Sequence, residues 1–335
     1  MTVLVTGGAG YIGAHVVRLL RDRGDIVVVD DLSTGAAARV GDVPLVQVDI
    51  AEDQAVDKLV ALIQEYAVDS VVHIAAKKQV GESAERPAYY YRQNVGGMAN
   101  LLLAMEATHV DRLMFSSSAA TYGLPEVPTG QNLTEDVPGR PISPYGETKL
   151  VCEWMCADAA SAWGLRWAGL RYFNVAGSGW PDLGDPEALN LIPIVLTAVT
   201  NGRDPQIYGD DYDTPDGTGI RDYVHILDLA QAHVDTLDYL ERDDRPHEIF
   251  NVGTGRGSSV KEVISQIART TGYDIQPQVV GRRPGDPAHL VADPARIADT
   301  LGWTSTRTLE DMIASAWEAW PSAHGTPVVT PPRTG

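Results

Sequence analysis

The chain has 335 residues, enough for one large domain or two ordinary ones, and its 44% hydrophobic and 21% charged content is that of a globular protein. A net charge of −19 speaks against nucleic-acid binding, because a phosphate backbone calls for surplus Lys and Arg. No apolar run approaches the roughly 20 residues of a membrane-spanning helix, "MTVLVTGG" lacks the pattern of a secretory leader, and there are only two cysteines, so no membrane contact and a reducing, cytoplasmic setting are expected.

In chain order, "TVLVTG" reads as a strand and residues 11–23 as a helix. "DIVVVDD", "PLVQVDI", "DSVVHIAA" and "RLMFSSS" read as further strands, with helical patterns at 53–66 and 88–107. Continuous Val/Ile/Leu runs mark strands buried on both faces, as in a parallel sheet. Their alternation with helices implies a Rossmann-type α/β fold, a doubly wound parallel sheet, over residues 1–174. After "LRYFNVAG" the texture changes: Gly, Pro and Asp become frequent and the strands shorten to "PQIYG", "HEIFNVG" and "IQPQVVG". Residues 175–320 are therefore expected to form mostly a smaller C-terminal α/β substrate-binding lobe, with an element or two returning to the main sheet. The Pro-rich stretch 321–335 is expected to be a loose tail.

"TGGAGYIGAH" follows the first strand and opens the first helix, and satisfies two glycine spacings through Gly7, Gly8, Gly10 and Gly13. Such glycines allow a tight turn and let a pyrophosphate approach the free N–H groups of a helix N-terminus. The next strand ends in Asp30 and Asp31. A carboxylate there accepts hydrogen bonds from an adenosine ribose and repels a 2′-phosphate, and no Lys or Arg follows until Arg39, so NAD is expected over NADP.

"RLMFSSS" brings Ser116, Ser117 and Ser118 to the end of a buried strand, where parallel sheets bind ligands. In "SPYGETK", Tyr145 and Lys149 stand four apart and share a helix face. A phenol titrating near 10 is a poor base at neutral pH. Lowering it by about three units takes roughly 4 kcal/mol, which nearby positive charge can supply. Lys149 and the positive nicotinamide ring of the expected NAD together are expected to contribute that charge. Cys152 and Cys156, one helical turn apart, lack the spacing of a zinc site and read as buried thiols.

These stretches together resemble the extended short-chain dehydrogenase/reductases, and within them the UDP-glucose 4-epimerases. The likeness rests on "VTGGAGYIGAH", "VVHIAAKKQVGES", "FSSSAATYG", "SPYGETK", "LRYFNVAG", "GTGIRDYVHILDLA", "IFNVGTGRGSSV" and "RRPGDPAHLVAD", and spans residues 1 to about 320. It implies an isomerase that oxidises a UDP-hexose at C4, lets the 4-keto sugar turn, and reduces it from the other face with net retention of NAD. Tyr145 would be the acid/base, Lys149 would bond the nicotinamide ribose, and Ser118 would relay the proton. On the cofactor side the pattern carries over to Gly7, Gly10, Tyr11, Ile12, Gly13, Asp30, Asp31, Leu32, Ser33, Thr34, Asp49, Ile50, Ala75, Ala76, Lys78, Asn94, Ser116 and Phe173. On the substrate side it carries over to Lys78, Asn174, Asn190, Leu191 and Gln206, Ile207 and Tyr208 along the uracil. Arg221 and Arg283 would hold the diphosphate, Asp286 a ribose hydroxyl, and Leu290 would line the sugar.

The resemblance also implies a homodimer through the helices at 88–107 and 145–163. One departure is "AATYG", where Ala120 and Thr121 leave a threonine contact to the sugar in doubt. Leu290 stands where hexose-selective relatives carry tyrosine, which opens the alternative of a UDP-N-acetylhexosamine or uronate epimerase. A 4,6-dehydratase would need an acid after Ser118, where Ala119 and Ala120 stand. A non-catalytic NAD-binding regulator of this fold should have lost Tyr145 or Lys149. His73 and His225 have no neighbours in sequence that complete a metal ligand set, so no metal is expected.

Overall fold

The apolar runs of the first half become strands β1 (Thr2–Thr6), β2 (Asp25–Asp30), β3 (Leu45–Gln47), β4 (Ser70–His73), β5 (Arg112–Ser116) and β6 (Arg166–Tyr172) in the computed structural model. It describes residues 1–128, 130–242, 247–283 and 285–329. The helices between them are α1 (Tyr11–Leu20), α2 (Ala55–Glu65), α3 (Val80–Glu85), α4 (Pro87–Tyr90), α5 (Gly97–Thr108) and α6 (Pro144–Trp163). Then follow strands β7 (Asn174–Ala176), β8 (Gln206–Tyr208), β9 (Ile220–His225), β10 (Glu248–Val252), β11 (Gly257–Ser259), β12 (Gln278–Val280) and β13 (His289–Leu290). The helices of that half are α7 (Leu191–Thr200), α8 (Ile226–Leu240), α9 (Val260–Thr271), α10 (Ala295–Leu301) and α11 (Leu309–His324).

The chain divides into two units. The first takes Met1–Pro125, Pro138–Arg171 and Ala230–Phe250; the second takes Glu126–Val137, Tyr172–Leu229 and Asn251 onward. The change of texture near residue 174 thus falls close to one crossing point, the one after Arg171, while the four other crossings were not read from the sequence. "HEIFNVG" supplies β10, which lies beside β6 in the large sheet. "PQIYG" and "IQPQVVG" pair with each other in parallel as β8 and β12. Residues 321–324, expected to be loose, belong to α11, which runs through Pro321 to His324; Val329 N donates to Thr200 O, and residues 330–335 lie outside the described ones.

The large sheet has the order β10-β6-β5-β4-β1-β2-β3. Its order reverses between β1 and β4, and open α/β sheets bind ligands at that crevice, beyond the carboxyl ends of the strands. β1 pairs in parallel with β2 and with β4, matching Thr6 to Val29 and to His73. Parallel strands covered on both faces need unbroken apolar runs, and Leu4, Val5, Val27, Val28, Val71 and Val72 are wholly buried. On one face Leu59 and Ile63 of α2, Leu101 and Met105 of α5, and Cys152 and Cys156 of α6 join a single core with Phe115 and Trp167. The expected helix at 88–107 is interrupted by a π-helical stretch, Tyr91–Gly96, which holds Asn94. Such stretches recur at functional positions.

The second unit is organised around β9, which pairs with β11, β13 and β7. Asp222 on β9 is fully buried and accepts hydrogen bonds from Thr254 N and Oγ1, Gly255 N and Ala292 N at 2.7–3.2 Å, so one carboxylate ties three segments together.

One ion pair is buried inside the first unit. The Arg171 guanidinium donates to both oxygens of Glu153 at 2.9 and 2.6 Å, and sits 4.8 Å from the centre of the Tyr122 ring. Removing one partner of such a pair leaves an uncompensated charge, which costs about 3–5 kcal/mol. Arg171→Leu is expected to lower unfolding free energy by that amount in urea titration, and Glu153→Met combined with Arg171→Leu to recover most of it. A loss under about 1 kcal/mol from the single change would show that the pair does not hold this helix to the sheet.

Candidate active site

The turn after β1 is built for an anion. Gly7 has φ +73°, and a Cβ there would stand 2.7 Å from Ala75 N. At Gly13 a Cβ would meet Gly7 O at 2.1 Å, so the first turn of α1 packs on the turn only because it bears none. The N-cap of α1 is Gly10, with no side-chain cap and no acidic residue in the first turn. Its N–H groups and helix dipole are therefore available to a phosphate. Tyr11 and Gly13 are buried and Ile12 is half-buried.

Asp30, at the end of β2, accepts from Ala9 N at 3.0 Å and Leu32 N at 2.8 Å. Burial raises its pKa against those two bonds. Leu32 is held at φ +58°, a strained conformation for a branched side chain. Asp31 accepts from Ser33 N at 2.9 Å and Ser33 Oγ at 2.6 Å. Burial pushes its carboxyl up, but Ser33 and Lys77 outweigh this and hold it below the usual range. Lys77 comes from the segment after β4: its ammonium donates to Ser33 Oγ at 2.6 Å and Asp31 Oδ2 at 3.1 Å. The stretch after β2 holds no Lys or Arg before Arg39, as the sequence reads, but the fold brings Lys77 to Asp31 from elsewhere in the chain. A search limited to the stretch after β2 cannot see a lysine 46 residues on.

Around the same crevice, Ala75 N donates to Thr6 O, Ala76 is half-buried and Lys78 is exposed. Thr34 is exposed. Asp49 accepts from Ala51 N at 2.9 Å, and Ile50 packs into the core. Asn94 is 3% exposed and clamps Lys77, accepting from its N at 2.8 Å and donating to its O at 3.0 Å. The Asn94 amide also donates to Thr148 Oγ1 at 3.0 Å, which fastens this segment to α6.

At the end of β5 the three serines diverge. Ser116 is fully buried, with its Oγ 3.0 Å from His233 Nε2, so its carbonyl rather than its hydroxyl faces the site. Ser117 Oγ donates to Glu153 Oε1 at 2.5 Å. Ser118 caps the short helix Ala119–Thr121, accepting from Ala120 N at 3.1 Å. Thr121, in doubt from sequence, donates back to Ser118 O at 2.8 Å and is buried, so its hydroxyl serves the turn. Helix α6 starts beside this turn because Gly146 leaves room: a Cβ there would lie 2.5 Å from Ala120 O. Ser143 accepts from Gly146 N as the N-cap, and Tyr145 follows Pro144 in the first helical turn.

Tyr145 is 7% exposed. Burial raises its pKa, and a hydrogen bond with Ser118 works the other way. Lys149 is buried, donates to Ser116 O at 2.7 Å, and lies 4.9 Å from the centre of the Phe115 ring. The expected depression of the phenol by Lys149 is not produced by the chain's own groups, since burial dominates. The same burial lowers Lys149 to about 8, and burial together with Lys149 keeps His73 neutral, down at about 3. His73 Nδ1 stands 2.7 Å from Thr6 Oγ1, and among the described residues no cluster of three metal-binding side chains forms.

In the second unit, Phe173 is buried and donates its N–H to Val252 O. Asn174 donates to Asp222 O at 3.0 Å, and Asn190, the N-cap of α7, donates to Val175 O at 3.5 Å just before Leu191. Ile207 is 1% exposed within the core, so only its backbone is available to a ligand. Tyr208 donates to Gln206 Oε1 and carries the Arg283 guanidinium 3.8 Å over its ring. Arg221 forms a close ion pair with Asp286, and Leu290 is in register with Arg221 across β13 and β9. Sequence reasoning missed Tyr212. Among the described residues its buried Oη has no hydrogen-bond partner, and the nearby charges are those of Asp286, Arg282, Arg221 and Asp211. It also missed the Glu153–Arg171 pair, because no motif announces two charges that meet 18 residues apart.

Lys149 gives a pH-dependent stability. In the unfolded chain it holds its proton up to about 10.5, and in the folded one only up to about 8. Between those values the unfolded state binds more protons, so stability rises with pH through the window. Against Lys149→Met, the wild-type chain is expected to gain on the order of 3 kcal/mol between pH 7.5 and 10.5 in urea titrations. A gap constant across that range would show that the ammonium is not held in a dry site.

Similarity to known proteins agrees with this geometry. The model of the "NAD dependent epimerase/dehydratase family" matches residues 3–253. The UDP-glucose 4-epimerase of Halalkalibacterium halodurans is 42% identical over 333 residues, covering 97% of this chain and 96% of its own. The UDP-glucose 4-epimerase of Brucella ovis, solved in complex with NAD, superposes with a TM-score of 0.88 at 44% identity over 97% of this chain and 98% of that one. The Bifidobacterium longum enzyme, solved with NAD+ and UDP, has a TM-score of 0.87 at 35% identity over 96% and 100%. With a glycine turn, an acid pair and a Ser–Tyr–Lys group at the crevice of one parallel sheet, the chain belongs to the NAD-dependent epimerase/dehydratase family and stands there among the UDP-glucose 4-epimerases.

Proposed function

We propose that this chain interconverts UDP-glucose and UDP-galactose by transient oxidation at C4 of the sugar. One observation carries the reading. Tyr145 is hydrogen-bonded to Ser118, with Lys149 one helical turn on, at the carboxyl end of β5 in the sheet whose β1 end bears the phosphate turn. The residues present fit a dinucleotide: the uncapped start of α1 for the pyrophosphate, Asp30 for the adenosine ribose, and Lys149 for the nicotinamide ribose. When bound, NAD supplies the acceptor and donor of the C4 hydride and a positive ring that favours the phenolate form of Tyr145.

The chain's own residues handle the proton and the anchor. Tyr145 takes the proton of the sugar 4-hydroxyl, and Ser118 hydrogen-bonds that hydroxyl and relays the proton. The bond from Lys149 to Ser116 O fixes the start of α6 against the end of β5, so the phenol and the serine keep their spacing. In the second unit Arg221 and Arg283 take the diphosphate, Asp286 a ribose hydroxyl, and Asn174, Asn190–Leu191 and the Gln206–Tyr208 strand the rest of the nucleotide. Lys78 and Leu290 border the sugar. Holding the nucleotide while leaving the hexose loose lets the 4-keto sugar turn over and receive its hydrogen on the opposite face. The same phenol returns its proton to the C4 oxygen as the hydride comes back to C4, which closes the cycle.

The expected result is conversion of UDP-galactose to UDP-glucose with no added reductant. Tyr145→Phe should cut kcat by about 10²–10⁴-fold while NAD stays bound, read from coupled assay and bound-nucleotide absorbance. Build-up of one NADH per turnover would instead mark a dehydrogenase, and near-normal turnover in Tyr145→Phe would remove the proton role.

The reading includes a homodimer in the cytoplasm. Leu103 on α5 and Trp154 on α6 are 53% and 58% exposed, large apolar side chains on two helices that pack together. A second copy pairing through these helices covers both. The free, buried Cys152 and Cys156 suit a reducing compartment. Trp154→Glu is expected to convert a dimer to a monomer in light scattering; a wild-type chain that is monomeric at micromolar concentration refutes the assembly.

A further inference from the structure

Lys77 stands where a sequence reading finds only acids. Its backbone is pinned on both sides by the Asn94 amide, at 2.8 and 3.0 Å, so the side chain leaves from a fixed point. Its ammonium is 3.1 Å from Asp31 Oδ2 and 2.6 Å from Ser33 Oγ. The Ser33 hydroxyl in turn donates to Asp31 Oδ1 at 2.6 Å. Asp31, Ser33 and Lys77 thus close a ring of hydrogen bonds around one cation, with Asp30 next along the chain. The two charged side chains of the ring are only partly exposed, 19% for Lys77 and 30% for Asp31, while Ser33 lies exposed beside them. Asp30, at the end of β2, is the residue type and position that reads the adenosine ribose, so the ring borders the 2′-hydroxyl.

We propose that Lys77 is a phosphate-binding cation held out of use by Asp31, and that this pair sets how strongly the protein ranks NAD over its 2′-phosphorylated form. The proposal rests on the dinucleotide reading of the glycine turn and deepens it. Counting formal charges beside the ribose, Asp30 and Asp31 give −2 and Lys77 returns +1. An incoming 2′-phosphate meets a net negative charge and a cation already bonded to a carboxylate, so NAD is preferred. Removing the Asp31 charge leaves a positioned ammonium with Ser33 beside it, a donor pair suited to a phosphate monoester. Removing Lys77 exposes two carboxylates and should deepen the discrimination.

The test is competition of NAD and NADP against fluorescent NADH bound to the protein, which needs no turnover. The readout is the ratio of the two displacement constants in wild type, Asp31→Asn, Lys77→Met and the double variant. Asp31→Asn should shift the ratio toward NADP by 10-fold or more. Lys77→Met should shift it toward NAD by several-fold. The double variant should lose most of the Asp31→Asn gain, because the gain needs the ammonium. Lys77→Gln, which keeps hydrogen-bonding reach without the charge, should repeat the Lys77→Met result and stands in if that variant fails to fold. An Asp31→Asn gain of the same size in the double variant overturns the proposal, since simple loss of a negative charge would then explain it. Equal weakening of NAD and NADP by both Lys77 changes overturns it too, as a structural effect. A wild-type protein that binds no NADH fails the dinucleotide reading itself, a result distinct from either.

Discussion

The hydrogen bond from the buried Lys149 ammonium to Ser116 O is the contact on which the rest of the site depends. It joins the first turns of α6 to the last residue of β5, and Ser118 and Tyr145, the partners proposed for proton transfer, hang from those two places. Ser118 follows β5 by two residues, and Tyr145 precedes Lys149 by one helical turn. Gly146 lets the two segments approach to a distance that any side chain would block. The adjoining Ser117–Glu153–Arg171 chain of bonds makes a second, parallel tie between α6 and the sheet. Two polar ties through a water-poor interior give a geometry that cannot slide. Leaving any member unpaired is costly, so the arrangement is nearly all-or-none.

The parallel sheet was legible because burial on both faces demands unbroken apolar runs, and each of the first five strands carries one. The glycine turn was legible for a related reason. A backbone that must meet another backbone, as Gly13 meets Gly7 O, excludes every other residue type. Ser118, Tyr145 and Lys149 were readable because helix spacing and strand ends place them from local rules alone. What stayed hidden depends on chain crossings. The passage of Glu126–Val137 into the second unit and the return of Ala230–Phe250 to the first leave no periodic signature. Lys77 reaches Asp31 across the sheet crevice, and Ile207 turns inward although its neighbours do not. The π-helical stretch around Asn94 likewise has a sequence that reads as ordinary helix.

The acidic surface and the anionic ligand are not in conflict once the scale of each is considered. A net charge of −19 is spread over the whole chain and is screened beyond about 8 Å at physiological ionic strength. The second-unit arginines proposed for the diphosphate would act at contact distance. Arg221 and Arg283 are each already ordered, one by Asp286 and the other by the Tyr208 ring. A guanidinium held in place loses less conformational freedom when it takes up a phosphate.

Burial acts on Tyr145 and Lys149 in the same sense: it favours the neutral form of each. The phenol is raised and the ammonium is brought down to about 8. One of the three donors of the Lys149 ammonium is held by Ser116 O, which leaves the others for a ligand. The sequence reading drew on both Lys149 and the nicotinamide ring for the phenolate; without a ligand the pair is a scaffold and a protonated phenol. Among the described residues the Ser118 hydrogen bond is what favours the phenolate. For Tyr145 to act as the proposed base, positive charge has to come to the crevice with what binds there. A site of this kind keeps its proton while empty of ligand and becomes basic when loaded, which ties proton transfer to occupancy of the dinucleotide cradle rather than to the bulk pH.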